Sequence, residues 1–260
     1  NIAFNRNKVL ELGGEEYKEM AEGDGHLKTG SVRRLIVGEP IGVFYGYRFD
    51  GIFQNEEECK QQTSSASPIG VGLRRYKDLN GDGKVDAAND REILGDANPK
   101  FFGGLTNTFA YKGFELNVFL QYSYGNKILN YNAMELENPT GGQNAYADMV
   151  NRWTPENPSN IYPKATTNRA ILASDRFIED GSYLKLKTLS LSYSFPKINM
   201  KHIQGLRLYV TGQNLLTWTK YRGYDPEVSY RGASTLEAGE DFGGYPQSRT
   251  FMFGVKLDIK

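Results

Sequence analysis

The segment FELNVFLQYSY, residues 114–124, alternates apolar and polar side chains over almost its whole length. One parity carries only apolar or aromatic side chains, namely Phe114, Leu116, Val118, Leu120 and Tyr122. The other carries mainly polar ones, namely Glu115, Asn117, Gln121 and Ser123, with Phe119 as the exception. Because successive side chains of a strand point to opposite faces, the segment predicts a β-strand with one apolar and one polar face.

The same alternation recurs along the chain and predicts a series of similar strands. They cover residues 100–111, 183–195, 206–219 and the end of the chain from Thr250 to Ile259, and the opening segment 1–12 is assigned as a further strand. Each is close to the roughly 9–11 residues that a tilted strand needs to cross a membrane. Only Lys112-Gly113 separates the strand ending at Tyr111 from the one starting at Phe114, which predicts a tight hairpin turn.

Long and short connections alternate between these strands. The long ones, 13–99, 126–182 and 220–248, are rich in Gly, Pro, Asn and Asp and show little apolar periodicity. Counting strand directions backwards from the last strand places all three at the same end of the sheet, with the link Pro196–Gly205 at the other. Short turns on one side and long loops on the other are typical of a bacterial outer-membrane barrel. The strand-like segment Ile41–Phe53 then lies outside the barrel wall.

Composition is compatible with this all-β, antiparallel transmembrane β-barrel. The 31 basic and 31 acidic residues give no net charge, which argues against a nucleic-acid binder. No run of about 18 apolar residues predicts a membrane-spanning helix. Aromatic residues near the strand ends favour a membrane-interface girdle, namely Tyr111, Tyr122, Tyr124, Trp218 and Tyr221. The alternative is a soluble β-sandwich with elaborated loops, because alternation also occurs in antiparallel sheets outside membranes.

A metal-binding motif lies in the first long connection. The sequence DLNGDGKVD, residues 78–86, matches the start of an EF-hand-type calcium loop. Oxygen ligands would come from Asp78, Asn80, Asp82, the carbonyl of Lys84, Asp86 and, one place later than usual, Asp90, because the twelfth position is Asn89. The predicted cofactor is therefore calcium in a structural role. The alternative is an Asp/Asn/Gly turn that binds no metal.

Several segments, in order, resemble the SusC/RagA-like TonB-dependent outer-membrane transporters. They are NRNKV (5–9), GEPIGVFYGY (38–47), DGIF (50–53), ILG (93–95), NPKF (98–101), RWTP (152–155), GQNLLTW (212–218) and GYDPE (223–227). The resemblance covers nearly the whole chain, and the ordered set is far more specific than any single piece.

The resemblance implies an architecture and a set of partners. Residues 1–260 would supply the C-terminal part of the barrel, about six strands of a 22-stranded wall. Residues 13–99 would form a long extracellular region that contains the calcium-type loop, 78–90. The plug and the TonB-contact segment would lie upstream of Asn1 and outside this chain. The partners would be TonB through that missing part, the rest of the barrel and its plug, a SusD-like surface lipoprotein and outer-membrane lipid.

The resemblance further implies import of an oligosaccharide or a peptide across the outer membrane. Because sugar rings stack on aromatic faces, loop aromatics are the candidate substrate contacts: Tyr146, Trp153, Tyr224, Tyr230 and Tyr245. Packing within the loops is the alternative for each of them. No constellation of catalytic side chains is evident. Two other functions remain open: a secreted calcium-stabilised carbohydrate-binding or dockerin-like module, and a secreted β-rich hydrolase.

Overall fold

The computed structural model describes residues 1–20, 26–27, 29–138, 144–167, 171–196, 202–227, 229–230, 232 and 234–259. The strands are β1 (Ile2–Ala3), β2 (Tyr17–Glu19), β3 (Arg33–Ile36), β4 (Val43–Tyr47), β5 (Phe49–Ile52), β6 (Thr63–Ser64), β7 (Arg74–Tyr76), β8 (Lys84–Val85), β9 (Arg91–Gly95), β10 (Phe101–Tyr111), β11 (Phe114–Tyr124), β12 (Lys127–Asn130), β13 (Ile178–Asp180), β14 (Tyr183–Ser194), β15 (Ile203–Thr219), β16 (Glu240–Asp241) and β17 (Thr250–Ile259). Two short α-helices, α1 (Glu56–Lys60) and α2 (Tyr131–Leu136), and two 3₁₀ helices, Ala147–Asn151 and Asp175–Phe177, complete the described elements. No helix among these residues is long and apolar enough to cross a membrane.

The largest sheet within the described residues is antiparallel and has the order β1-β10-β11-β14-β15-β17. Five of its strands coincide with the strands predicted from alternation, and β15 begins at Ile203, three residues before the predicted start. Lys112 and Gly113 both have positive φ, 44° and 87°, which is typical of a two-residue hairpin that matches strand twist. The predicted hairpin is therefore confirmed. The link Pro196–Gly205 lies partly outside the described residues.

The predicted strand over residues 1–12 is wrong except at its start. Only Ile2 and Ala3 pair with β10, opposite Gly103 and Phe102. Farther along, the N–H of Val9 donates to the carbonyl of Glu39 at 2.9 Å, and its own carbonyl accepts from Gly38. The side-chain oxygen of Asn7 also accepts from the backbone N–H of Ile41 at 2.7 Å. The segment therefore leaves the sheet because the first long connection satisfies its backbone hydrogen bonds.

The two faces of the large sheet differ sharply in polarity. The register aligns the apolar positions of neighbouring strands across the sheet, with Asn107, Gly103 and Gly212 as exceptions. The aligned apolar positions include Leu105, Phe109, Tyr111, Phe114, Leu116, Val118, Leu120, Leu184, Leu186, Leu189, Leu191, Leu206, Leu208, Val210, Leu216, Trp218, Phe251, Phe253, Val255 and Leu257. The opposite face carries mainly polar side chains, among them Glu115, Asn117, Gln121, Lys185, Ser190, Ser192, Arg207 and Thr211. We name these the apolar face and the polar face.

Aromatic side chains form a band at each end of the apolar face. At the hairpin end, Phe114 contacts Tyr193 with ring centroids 4.5 Å apart, and Tyr193 contacts Phe195 at 4.8 Å. At the other end, Phe101 stacks on Tyr124 at 5.0 Å. Phe114 and Tyr124 are ten residue steps apart along the strand, which corresponds to about 34 Å at the usual rise. For a strand tilted by 35–45°, this length projects to about 24–28 Å along the membrane normal. This spacing matches the apolar band of an outer-membrane barrel, roughly 25 Å tall.

Tyr221 does not belong to these bands, contrary to the sequence prediction. Its side chain is 5% exposed, and its hydroxyl donates to Asp241 at 2.5 Å. Burial, followed by the adjacent carboxylate of Asp241, raises the pKa of the Tyr221 phenol. Its hydroxyl therefore joins two parts of the third long connection rather than marking a membrane boundary.

The three long connections all leave the same end of the large sheet and fold together into a cap. We define the cap as the described parts of 13–99, 126–182 and 220–248. The first connection shows little apolar periodicity in sequence, but it carries a four-stranded sheet, β2-β3-β4-β9, and two smaller sheets. The strand-like segment Ile41–Phe53 is confirmed as β4 and β5 of this region.

A shared hydrophobic core holds the cap together. Its buried residues are Leu27, Val32 and Phe44 from the first connection and Leu129, Tyr131, Ala133, Met134, Ile171, Ala173 and Phe177 from the second. Phe242 of the third connection packs against them. A smaller cluster, Tyr47, Tyr76 and Val85, belongs to the first connection alone, whereas this shared core forms only when the three connections meet. This explains why periodicity within one connection does not reveal the structure.

Candidate functional site

The calcium-type loop is closed by its own polar side chains. The carboxylate of Asp78 accepts from the N–H groups of Gly81 at 2.7 Å and Gly83 at 2.6 Å, and Asp82 accepts from Lys84 at 2.8 Å. Asn80 donates its side-chain amide to Asp82 at 2.9 Å. Such bonds are the Asx turns that Asp and Asn favour. They bring the predicted ligand positions into one compact loop.

Asp90, the shifted carboxylate, connects the two ends of this loop. It is fully buried, and its two oxygens accept from the N–H groups of Leu79 at 2.8 Å and Asp86 at 2.7 Å. The carboxylate of Asp86 faces Lys84, whose ammonium lies 3.1 Å away, and backbone N–H donors from Asn89 and Ala88 hold its pKa low. Within the part of the chain that is described, no three acidic, histidine or cysteine side chains converge as a metal site. Calcium binding therefore remains a prediction.

The predicted substrate aromatics occupy two different environments. Tyr224 and Tyr245 are 75% and 91% exposed, and Tyr230 is 45% exposed with its ring 5.6 Å from Phe242. Tyr146 instead packs against the cap core, and Trp153 donates its indole N–H to Gln54 at 3.1 Å. The structure does not bring all five together. A substrate role stays a prediction for each, and the third connection supplies the most accessible rings.

A buried ionic cluster, not predicted from sequence, joins the polar face to the cap. Lys185 of β14 is 1% exposed, and its ammonium lies 2.5 Å from both Asp225 and Glu227. Lys187 reaches Glu227 at 2.8 Å, and Gln121 donates to the same carboxylate at 2.8 Å. We name the four charged residues, Lys185, Lys187, Asp225 and Glu227, the latch. It fixes the segment 221–227 over the polar face.

The two lysines of the latch balance the charges of its two carboxylates. Burial alone would raise the pKa of the Asp225 and Glu227 carboxyls, but hydrogen bonds from Lys185, and for Glu227 also from Lys187, outweigh burial and hold both pKa values below their ordinary range. A lowered folded-state pKa means that the charged form is stabilised by folding. The stabilisation is present above the unfolded-state pKa, about 4, and is lost as the pH falls through the folded-state value.

The lowered pKa values of Asp225 and Glu227 predict how the third connection responds to pH. We expect segment 221–227 to stay protected from proteolysis between about pH 8 and pH 5. Protection should decline below about pH 4 and be lost as the pH falls through the lowered folded-state pKa values. Limited digestion of the full-length protein with an acid-tolerant protease, followed by mass mapping, measures this. Glu227→Gln should reduce the pH dependence, since it removes one of the titrating groups. Release near neutral pH would contradict the assigned direction.

Two further ion networks, each centred on a buried carboxylate, connect parts of the cap. Arg33 donates to the carboxylate of Glu240 at 2.7 Å, both side chains being 2% exposed, and also donates to the carbonyls of Gly42 and Ala238. Glu137, 1% exposed, accepts from Arg176 at 2.5 Å and from Arg222 at 2.9 Å. Each network links different connections. No local sequence motif predicts these ion pairs, because the two residues of each pair lie 39 to 207 positions apart in sequence.

A sheet with one apolar and one polar face, aromatic bands at both ends and a folded cap at one end defines a class, the wall segment of a membrane β-barrel. Relatives narrow this class. The chain is 38% identical to TonB-dependent receptor P3 of Formosa agariphila over 99% of its own length and 26% of that protein. It is 26% identical to TonB-dependent receptor SusC of Bacteroides thetaiotaomicron over 100% of its length and 24% of that protein. The matches, which extend over the whole chain, are to TonB-dependent receptors, SusC among them, as the sequence motifs predict.

Solved structures agree on the fold. The chain superposes on the RagAB peptide importer with a TM-score of 0.73, at 22% identity, covering 98% of this chain and 26% of that one. No protein-family model matches. The chain spans about a quarter of the length of the relatives that it matches.

Proposed function

We propose that this chain forms part of the wall and cap of an outer-membrane importer that is driven through TonB and takes up an oligosaccharide or a peptide. The observation that carries the proposal is the continuous apolar face between two aromatic bands, set against a polar face that a lumen requires. The apolar face would contact lipid, and the cap would lie on the extracellular side. The names of the relatives, TonB-dependent receptors and a peptide importer, support the same conclusion.

The proposal includes a surface lipoprotein of the SusD type as partner of the cap. Two similarities support this partner. The chain superposes on the RagAB peptide importer, whose name denotes two components, and it is related to SusC. Fractionation of the source cells with an antibody against this chain tests both location and partner. We expect the full-length protein in the outer membrane, extracted only by detergent, together with a lipoprotein. Release without detergent would contradict the membrane assignment and favour a secreted binding module.

Deleting the full-length gene tests the import function. Mutant cells should lose uptake of one class of nutrient, and growth on oligosaccharide pools compared with growth on peptide pools identifies which one. Reintroduction of the intact gene should restore uptake. Unchanged uptake of every pool in the mutant, with no other receptor compensating, would contradict the proposal.

Calcium binding in the cap is a separate proposal that rests on the loop 78–90. Calcium would be held by Asp78, Asn80, Asp82, the Lys84 carbonyl, Asp86 and Asp90, and would neutralise the clustered carboxylates. The compact Asx-turned backbone supports this, because Ca²⁺ prefers oxygen ligands from one such loop.

We expect the chelator-treated full-length protein to bind calcium, measured by titration calorimetry. Asp82→Asn should weaken binding by roughly tenfold, since affinity depends on ligand charge. Asp82 is the suitable position because it is exposed and its amide replacement keeps one acceptor for the Lys84 N–H. Asp148→Asn, an exposed acidic position outside the loop, serves as control and should change nothing. Absence of calcium heat in the unaltered protein would leave the metal-free turn as the correct interpretation.

A further inference from the structure

A cleft opens on the polar face at its cap end, beside the latch. It has a volume of about 360 Å³, within the range of small-molecule sites. Its walls come from β14, from β15 and from two segments of the third connection, with Lys185, Asn214, Thr217, Tyr224, Gln247 and Arg249 among the lining residues. Lys185 and Thr217 stand directly opposite each other in the register. The cleft therefore faces the side that the proposed function assigns to the lumen.

The backbone beside this cleft is irregular. Between Leu186 and Thr188 the pairing of β14 with β15 shifts, because Leu186 faces Leu216 while Thr188 faces Gln213. Asn214, inside the shift, has φ of 52°, a left-handed conformation that is uncommon for residues other than glycine. Bulges of this kind re-aim side chains and are over-represented next to functional sites.

Asn214 also carries an unused acceptor. Its side-chain N–H donates to the carbonyl of Ser248 at 3.0 Å, but its side-chain oxygen is buried and accepts no hydrogen bond from the described residues. Buried polar atoms are nearly always paired, so this unpaired oxygen requires an explanation. A water or ligand group that reaches the oxygen and donates a hydrogen bond supplies one.

The latch holds the exposed ring of Tyr224 at the rim of the cleft. Asp225, the next residue, accepts from Lys185 at 2.5 Å and from the backbone N–H groups of Glu227 at 2.9 Å and Gln247 at 3.3 Å. The segment bearing Tyr224 is therefore fixed to the wall, although Tyr224 itself is 75% exposed. A backbone segment held in place before binding loses little conformational freedom when a ligand stacks on the ring that it carries.

We propose that this cleft is a saccharide subsite on the lumen side of the importer, with Tyr224 as the stacking platform and Asn214, Thr217 and Gln247 as hydrogen-bonding groups. The proposal rests on the import function proposed above and deepens it. The lining suits a sugar unit because it combines one exposed ring with amide and hydroxyl groups and the guanidinium of Arg249. The ammonium of Lys185 is already paired with Asp225. Addition of a peptide as an extra strand is excluded at this wall, because β14 and β15 are paired on both sides.

Retention of ligands by the detergent-purified full-length complex tests the subsite. The probes are a pool of short oligosaccharides from hydrolysed glucans, galactans and uronic-acid polymers and, separately, a tryptic peptide pool from casein. Species that remain bound after gel filtration are identified by mass spectrometry. We expect retained oligosaccharides, with retention lowered roughly tenfold in Tyr224→Ala and largely kept in Tyr224→Phe, because the phenylalanine ring still stacks. Tyr17→Ala, a partly exposed tyrosine elsewhere in the cap, is the matched control.

Each other outcome overturns a defined part of the proposal. Oligosaccharides retained equally by Tyr224→Ala would place the saccharide site elsewhere and leave the import function standing. Retention of casein peptides alone would overturn the assignment to sugars. Retention of neither pool would reject the subsite, and the gene-deletion experiment then decides independently whether the import function itself fails.

Discussion

Lys185→Met is expected to detach segment 221–227 from the barrel wall. The substitution keeps most of the side-chain volume but leaves the carboxylates of Asp225 and Glu227, which now both lie 2.5 Å from the ammonium, without their shared cation. Removing one partner of a buried ion pair costs about 3–5 kcal/mol, because the remaining charge stays desolvated. Hydrogen exchange of peptides from 220–227, measured on the full-length protein in detergent, should therefore increase strongly.

Lys187→Met provides the matched control for this change. Lys187 contacts the same carboxylate of Glu227, but its side chain is 25% exposed and Asp225 is not its partner. Exposed or half-exposed pairs contribute about 0–1 kcal/mol, so exchange should change little. The combined variant Lys185→Met, Asp225→Asn and Glu227→Gln removes the uncompensated charges and should recover much of the protection. Equal effects of the two single substitutions would show that the latch does not depend on burial.

Val118→Arg is expected to prevent normal assembly of the protein in the outer membrane. Val118 lies midway along β11, between the two aromatic bands, with Leu189 beside it on β14. An arginine on the lipid face near the midplane of a barrel costs about 2–4 kcal/mol. The level of heat-modifiable, folded protein in outer-membrane fractions measures the effect.

Asn117→Arg is the control, because it introduces the same side chain one residue away on the opposite face. Asn117 now donates to the hydroxyl of Thr108 at 2.9 Å on the polar face, where water is available to a charged group. We expect this variant to assemble at nearly normal levels. If Asn117→Arg is the more damaging of the two, the assignment of the lipid and lumen faces is reversed.

The elements that sequence predicts well are those with local causes. Strand alternation at Phe114–Tyr124 is a property of eleven consecutive residues, and the turn at Lys112-Gly113 needs only two residues that accept positive φ. Counting strand directions then places all three long connections at one end, as the register confirms. The main error, at residues 4–12, arose because backbone pairing with Gly38 and Glu39 depends on a distant segment.

The sequence by itself determined the all-β class, the two faces of the wall and, through its ordered motifs, the family. Only the tertiary structure decided how the cap is built and where charges are buried. Phe44, Tyr131 and Phe177 form one core, and Lys185 meets Asp225 and Glu227 forty and forty-two residues away. The physical reason is that alternation is set by the geometry of a single strand. Core contacts and ion pairs depend instead on which connections meet, and burial gives them their strength only after they have met.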